Sequence, residues 1–277
     1  MTYPALDVRG ADPELVLAAV DDFSPTAVED LADGVSVFFT SADRRDAAQA
    51  ALAAALPHAR LAPREVDDED WAKRSQENLT AVQVGSLIVT PPWAVQANLE
   101  SSAPTLQVVI LPSMGFGTGH HATTRLCLET LQAFQLHGAR VLDVGTGSGV
   151  LALAAAALGA SEALGIDFDP DAITNANENL ELNPGLSGVR FQVVDVRDAL
   201  LPKADIVVAN LTGAVLVQNA ALLTSAVDTD GTLIVSGLQT HEYESVVSAF
   251  VGGRLASEKE EAGWMALAFN FPDEALV

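Results

Sequence analysis

From residue 121 onward the chain alternates between two hydrophobic periods. Short, mostly apolar runs predict strands at 140–144, 162–167, 189–194, 204–209 and 231–236. Between them, apolar residues at helical spacing predict helices at 121–136, 149–158, 170–182, 213–227 and 240–250. The last two runs, GRLASEKEEAG and WMALAFNF, predict a closing hairpin. Such alternation calls for a mostly parallel sheet covered by helices on both faces, an α/β Rossmann-like domain.

Residues 1–66 follow a different pattern. YPALDV predicts a strand, and Asp12 with Pro13 at the first helical position starts a helix carrying Leu15, Val16, Ala19 and Val20. TAVED and VSVFF predict a hairpin turning at Ala32, Asp33 and Gly34. Asp43 is placed to cap an alanine-rich helix over 44–56, and ARLAPREV returns as a strand. The order β-α-β-β-α-β is that of a ferredoxin-like sandwich, a small α+β recognition frame. The polar stretch 67–80 predicts a linking helix, which leaves 81–277 as the larger domain. GSLIVTPPW and TLQVVIL, ahead of residue 121, are strand-like runs, and no internal repeat or low-complexity tract interrupts the chain.

Composition narrows the functional classes. A 277-residue chain that is 49% hydrophobic can bury a large core. No apolar run reaches the ~20 residues of a membrane span, and the first residues show neither a basic region nor an apolar signal core. One cysteine, Cys127, forms neither an internal disulfide nor a cysteine metal cluster. A cytoplasmic chain without membrane attachment is expected. Thirty-seven acidic against 14 basic residues give a net charge of −23. That balance disfavours direct nucleic-acid binding and suits a basic protein partner; it also serves simply to keep an alanine-rich surface in solution.

Candidate chemistry gathers in RVLDVGTGSGVLALAAAALGA. A buried strand runs into Gly145, Gly147 and Gly149 and then straight into a helix, so a ligand can approach main-chain amides. Asp143 stands just before the turn, and Asp167 ends the next strand, placed to accept the hydroxyls of a ribose. Dinucleotide sites usually space their glycines G-x-G-x-x-G, and a pyrophosphate is poorly served by a neighbouring carboxylate. Asp143 instead favours a cationic ligand, and S-adenosylmethionine (SAM) with its sulfonium and ammonium fits best. Asp195, after FQVV, is a candidate for the adenine amine. Asn210 ends the apolar strand IVVA at the ligand-binding edge of the sheet, where it meets an amine or caps the next helix.

A second glycine turn, MGFGTGHHATTR at 114–125, precedes the first parallel strand. Its adjacent histidines make a poor metal site, since neighbouring side chains rarely reach one ion and no third ligand is suitably spaced. No G-x-S-x-G elbow marks a hydrolase. Flexible glycines ahead of a helix starting with Thr123 and Thr124 suit a cover for the same ligand.

These stretches together resemble the bacterial ribosomal protein L11 methyltransferase family. GFGTGHHATTRLCLETL, VLDVGTGSGVLALAAAALGA, GIDFDPDAITNANENLELN and DIVVANLTGAVL follow one another in family order. The resemblance implies SAM contacts at Thr124, Gly145, Asp167 and Asn210, with Phe116, Gly117 and Thr118 near the cofactor. It implies transfer of methyl groups to lysine ε-amino groups and the α-amino terminus of a basic large-subunit ribosomal protein, up to trimethylation. It also makes residues 1–66 the domain that grips that protein, and a monomer is the expected state. Asn210 and His121 are the candidate catalytic residues; a structural role for His121 is the stronger of its two readings. Ala122 stands where many members have Pro, and Leu211-Thr212-Gly213 replaces the more usual Ile-Leu-Ala. Glutamine-amide or nucleobase methylation is a competing reading, although ANLTG lacks the Asn-Pro-Pro-aromatic clamp of those enzymes. A SAM-type fold serving only as a binding module is another.

Overall fold

A computed structural model describes residues 2–11, 16, 19, 20, 23, 25–31, 33–39, 41–67, 79–98, 106–112, 119–195 and 200–272. The chain divides into two compact units, Met1–Asn78 and Leu79–Val277. The division falls within the stretch expected to link them.

In the first unit β1 (Thr2–Arg9), β2 (Pro25–Leu31), β3 (Gly34–Phe39) and β4 (Arg60–Asp67) form an antiparallel sheet in the order β2-β3-β1-β4. Period-two alternation sends Leu6, Val8, Val35, Val37 and Phe39 into one core, against Ala48 and Leu52 of α1 (Ala42–Ala55). Val16, Ala19 and Val20 are helical, with Val16 and Val20 in that core; the Asp12–Pro13 start lies outside the described residues. Two local expectations change. Ser41, not Asp43, caps α1, its side chain accepting from the Arg44 amide; Asp43 lies in the first turn. Gly34 belongs to β3 rather than to the turn, paired with Arg9 and Leu31, and only glycine fits there, since a Cβ would lie 1.9 Å from the Val8 carbonyl oxygen. Most of the expected linking helix also lies outside the described residues.

The second unit begins with a three-stranded sheet, β5 (Val82–Val84), β6 (Leu87–Thr90) and β7 (Leu106–Val109), in which β6 and β7 run parallel. Next come α2 (Ala122–Leu131), β8 (Arg140–Val144), α3 (Val150–Ala157), β9 (Glu162–Asp167), α4 (Pro170–Glu181), β10 (Val189–Val193) and β11 (Ala204–Asn210). After them follow α5 (Gly213–Gln218), α6 (Ala220–Ser225), β12 (Val227–Gln239), α7 (Tyr243–Ala249), β13 (Arg254–Glu261) and β14 (Trp264–Asn270). The seven-stranded sheet has the order β10-β9-β8-β11-β12-β14-β13; its first five strands are parallel, and β14 runs antiparallel to its neighbours β12 and β13. The two faces of β11 feed different cores. Ile206 and Val208 pack with Val141 and α3, whereas Val207 and Ala209 pack with Leu216, Leu223 and Val246 of α5, α6 and α7.

The expected helix over 213–227 is two helices. Asn219 breaks it at φ −107°, its Nδ2 turned back onto the Val215 carbonyl. Strand β12 extends well beyond 231–236 at both ends, and a 3₁₀ turn at Thr240–Glu242 precedes α7. Helix α2 ends at Leu131; Gln132, its C-cap, keeps helical backbone angles while its side chain serves the β5–β6 turn, accepting from the Ser86 amide and donating to the Val84 carbonyl. Strand order reverses between β8 and β11, and open α/β sheets bind ligands at such a switch point.

Candidate functional site

At the switch point β8 ends in the turn Gly145–Gly149. Its three glycines have φ of 73°, 52° and 82°, the left-handed region where a side chain is strained. Space is also short: a Cβ on Gly145 would lie 2.5 Å from Leu211 Cδ2, and one on Gly149 2.6 Å from Phe191 Cζ. The amides of Gly145 and Thr146 both donate to the Ile166 carbonyl at 2.9 Å, which pins the turn to β9.

Asp143 is fully buried. Its Oδ2 accepts from Thr146 Oγ1 at 2.6 Å and from the Ala152 amide in the first turn of α3 at 3.2 Å. Its Oδ1 is buried and has no hydrogen-bond partner. Burial pushes the carboxyl up to about 7; the two hydrogen bonds oppose that rise and the Asp167 charge adds to it.

Asp167 ends β9, half-buried. Its Oδ2 accepts from the Gly147 amide at 3.0 Å and Oδ1 from the Asp169 amide at 3.1 Å, so it braces the glycine turn. Each oxygen keeps a second lone pair for a ligand hydroxyl. No lysine or arginine pairs with Asp143 or Asp167 among the described residues. Beside Asp167 the rim is apolar, with Phe168 71% exposed and Val193, the β10 residue in register with Asp167, 52% exposed. Sequence reasoning missed Phe168, whose signal was an aromatic directly after a strand-ending acid in an otherwise polar stretch. Asp195 follows two residues beyond the end of β10, half-buried.

Asn210 closes β11, half-buried and in register with Ser236 of β12. It does not cap the next helix: Thr212 stands at the N-cap of α5. The Leu211 amide donates to the Ser236 carbonyl at 2.9 Å, and the Leu211 side chain lies over Gly145. At Gly213 a side chain would meet Glu242. An added Cβ would lie 2.4 Å from Glu242 Oε1, the carboxylate whose other oxygen accepts from the Gln239 amide.

His121 is the N-cap of α2. Its Nδ1 pairs with Thr123 Oγ1 at 2.8 Å and accepts from the Thr123 amide, and its ring meets Trp264 edge-on at 5.0 Å. Arg125 grips both Glu261 oxygens and the His120 carbonyl, tying the helix start to the β13–β14 hairpin. In this setting His121 holds the helix entry. Thr124 is buried, and its Oγ1 has no hydrogen-bond partner. Cys127, deep in the core, has its thiol pushed up to about 12 by burial, which leaves it unreactive. Phe116, Gly117 and Thr118 lie outside the described residues. Among the described residues no group of three His, Cys, Asp or Glu is placed to hold a metal ion, and no helix is long and apolar enough to cross a membrane.

These residues fit SAM. An orphaned buried carboxylate oxygen and two acids without a cation among the described residues suit a ligand that brings positive charge. Asp167, at the end of β9 beside the glycine turn, offers acceptors for ribose hydroxyls. A pyrophosphate would face both carboxylates.

Comparison with known proteins agrees. The profile of the family described as ribosomal protein L11 methyltransferase matches residues 16–271. A Geobacter sulfurreducens protein named ribosomal protein L11 methyltransferase is 41% identical over 210 residues, covering 74% of this chain and 67% of its own. One of the same name from Deinococcus radiodurans is 35% identical over 269 residues, covering 94% and 93%. Among solved structures, a ribosomal protein L11 methylase from Lactobacillus delbrueckii subsp. bulgaricus superimposes with a TM-score of 0.64 at 26% identity. It is covered over its whole length by 70% of this chain.

Proposed function

Since the chain belongs to the ribosomal protein L11 methyltransferase family, we propose that it transfers methyl groups from SAM to lysine ε-amino groups and the α-amino terminus of ribosomal protein L11, through to trimethylation. The observation that carries this is the switch-point site, where Asp143, Asp167 and Asn210 meet around the glycine turn in a chain that matches the family over 16–271.

When bound, SAM supplies an electrophilic methyl group on a positively charged sulfur. The chain's own residues then have three tasks. Asp143, Asp167 and Thr124 offer acceptors for the cofactor's charged and hydroxyl groups, with Gly145, Gly147 and Gly149 giving backbone access and Asp195 meeting the adenine amine. Asn210 accepts an N–H of the incoming amine and aims its lone pair. Apolar walls, among them Leu211 and Phe168, exclude water. A lysine starts near pKa ~10.4 and reacts only when neutral, so desolvation and the nearby sulfonium charge of the cofactor assist proton loss. Positioning supplies much of the rate, up to roughly 7–11 kcal/mol for an aligned pair. His121 contributes by holding the entry of α2 rather than by moving the proton.

Residues 1–66 serve as the recognition domain and 67–80 as the linker, in a monomer acting in the cytoplasm without direct nucleic-acid contact. The net charge of −23 supports a basic protein partner. Incubation with labelled SAM and purified L11, followed by mass spectrometry, tests the whole reading. Label on lysines and the amino terminus is expected. Label on glutamine or only on RNA, or cofactor binding without transfer, would overturn it.

A further inference from the structure

Helix α4 and the residue two past its end carry Asn175, Asn179 and Asn183, four residues apart and therefore on one face. Asn179 is fully buried, and both of its amide donors and its amide oxygen are engaged. Oδ1 accepts from the Leu111 amide at 2.8 Å, while Nδ2 donates to the Ser148 carbonyl at 2.8 Å and to Asn175 Oδ1 at 2.9 Å. Asn183, also buried, has a plainer task. It brackets Val109 of β7, accepting from its amide at 2.8 Å and donating to its carbonyl at 2.7 Å. Both asparagines hold the exit of β7, and of the two only Asn179 reaches the glycine turn.

Ser148 sits between Gly147 and Gly149, two of the three glycines of the turn, which have little intrinsic preference for one conformation. Asn179 Nδ2 holds the carbonyl end of the peptide between Ser148 and Gly149 from outside the turn. The same peptide carries the Gly149 amide, which donates to the Thr146 carbonyl at 2.9 Å, and Thr146 in turn holds Asp143.

We propose that Asn179 is a positioning residue for the cofactor, locking the peptide plane of the Gly147–Gly149 turn and registering it against the strand exit at Leu111. The proposal rests on the reading of that turn as the SAM site. A leucine would fill the space without either bond. An aspartate would still accept from Leu111 but would turn an oxygen toward the Ser148 carbonyl.

The test is a matched pair, Asn179→Asp and Asn183→Asp, measured by calorimetry with SAM and by steady-state methylation of L11. For Asn179→Asp the SAM Kd and KM are expected to rise about tenfold or more, with kcat at saturating SAM within about twofold. Asn183→Asp is expected to lower the melting temperature while leaving the SAM Kd within about twofold. If Asn179→Asp does not fold, Asn179→Ser, which removes the bond to the Ser148 carbonyl, is measured in the same way. An unchanged SAM Kd in the Asn179 variant overturns the proposal, as does equal weakening by the Asn183 variant. Failure of the wild-type chain to bind SAM would instead overturn the cofactor reading.

Discussion

Asp7 in the small sheet and Asp143 in the large one are both strand aspartates largely withdrawn from water, and their surroundings differ. Asp7 Oδ1 accepts from Ser36 Oγ at 2.7 Å and from Arg64 Nε at 2.8 Å, and Arg64 also reaches Ser36 Oγ at 3.1 Å. Arg9 stands 3.9 Å from its other oxygen. Asp143 has two donors on one oxygen, none on the other and no cation among the described residues. A charge that is paired where it lies belongs to the fold. One held in the interior without a counter-charge keeps its proton up to about pH 7, and a bound cation would favour the charged form. The first arrangement is closed within the fold, while the second leaves one carboxyl oxygen open to a ligand.

Removing residues 1–66 breaks the comparison most severely. The unit that contains Asp7 has its own core, and the glycine turn, Asp143, Asp167 and Asn210 all belong to the other. The truncated chain is expected to bind SAM with near wild-type affinity and to lose methylation of L11. Calorimetry and a labelled-methyl assay check the two halves separately. Full-rate methylation by the truncated chain would remove the recognition role from residues 1–66.

Asp143→Asn comes next. Folding raises this carboxyl from 3.8 to about 7, so between those values the folded chain holds a proton that the unfolded chain has released. By linkage, this group's contribution to stability is greatest below pH ~4 and is lost as pH rises toward 7. SAM affinity should move the other way, strengthening as the carboxylate forms around pH ~7. The Asp143→Asn variant lacks the charge at every pH, so its SAM binding should be weaker and the pH dependence flattened. Melting temperature and calorimetry across that range read both. The partner experiment, Asp7→Asn, should lower stability by roughly 1–3 kcal/mol, its hydrogen bonds being charged but partly screened, and should leave SAM affinity alone.

Asp167→Ala removes acceptors that serve the Gly147 and Asp169 amides as well as the proposed ribose contact. SAM binding should weaken by roughly 1.5–3 kcal/mol, the range for hydrogen bonds to a charged group. Unchanged affinity by calorimetry would remove Asp167 from the cofactor site.

The contrast between the two aspartates is half legible in the sequence. Strand positions, the glycine spacing and the acid ending β9 follow from local pattern, because period-two alternation and left-handed turns leave their mark in adjacent residues. Asp143, Asp167 and Asn210 therefore stand out from the sequence alone. Contacts between distant residues leave no such mark. Asn179 and Asn183 read as ordinary polar residues of an exposed helix, and only the fold shows them buried against β7. His121 illustrates the intermediate case: its place before a helix is visible, while its cap on Thr123 and its packing on the distant Trp264 are not. The break at Asn219 is hidden because the apolar spacing carries on through it.

The smallest effect is expected at Gly213, where this chain departs from its family. Gly213→Ala restores the more usual residue at the start of α5, and alanine is favoured over glycine in a helix by about 1 kcal/mol. Against that gain, the new Cβ falls 2.4 Å from Glu242 Oε1. The obstacle is the end of a flexible side chain, so Glu242 can swing aside, giving up the bond from its other oxygen to the Gln239 amide at 2.8 Å. That loss is about 0.5–1.5 kcal/mol for one exposed hydrogen bond. The two terms nearly cancel, and the variant should melt within a few degrees of wild type. Glu242→Ala removes the obstacle beforehand, so in that background Gly213→Ala should be stabilising. The double-mutant cycle should therefore show a coupling of about 0.5 kcal/mol or more. Additive melting shifts would mean that the glycine at 213 and the carboxylate at 242 are unrelated. The departure from Ala would then need another explanation than the room it leaves.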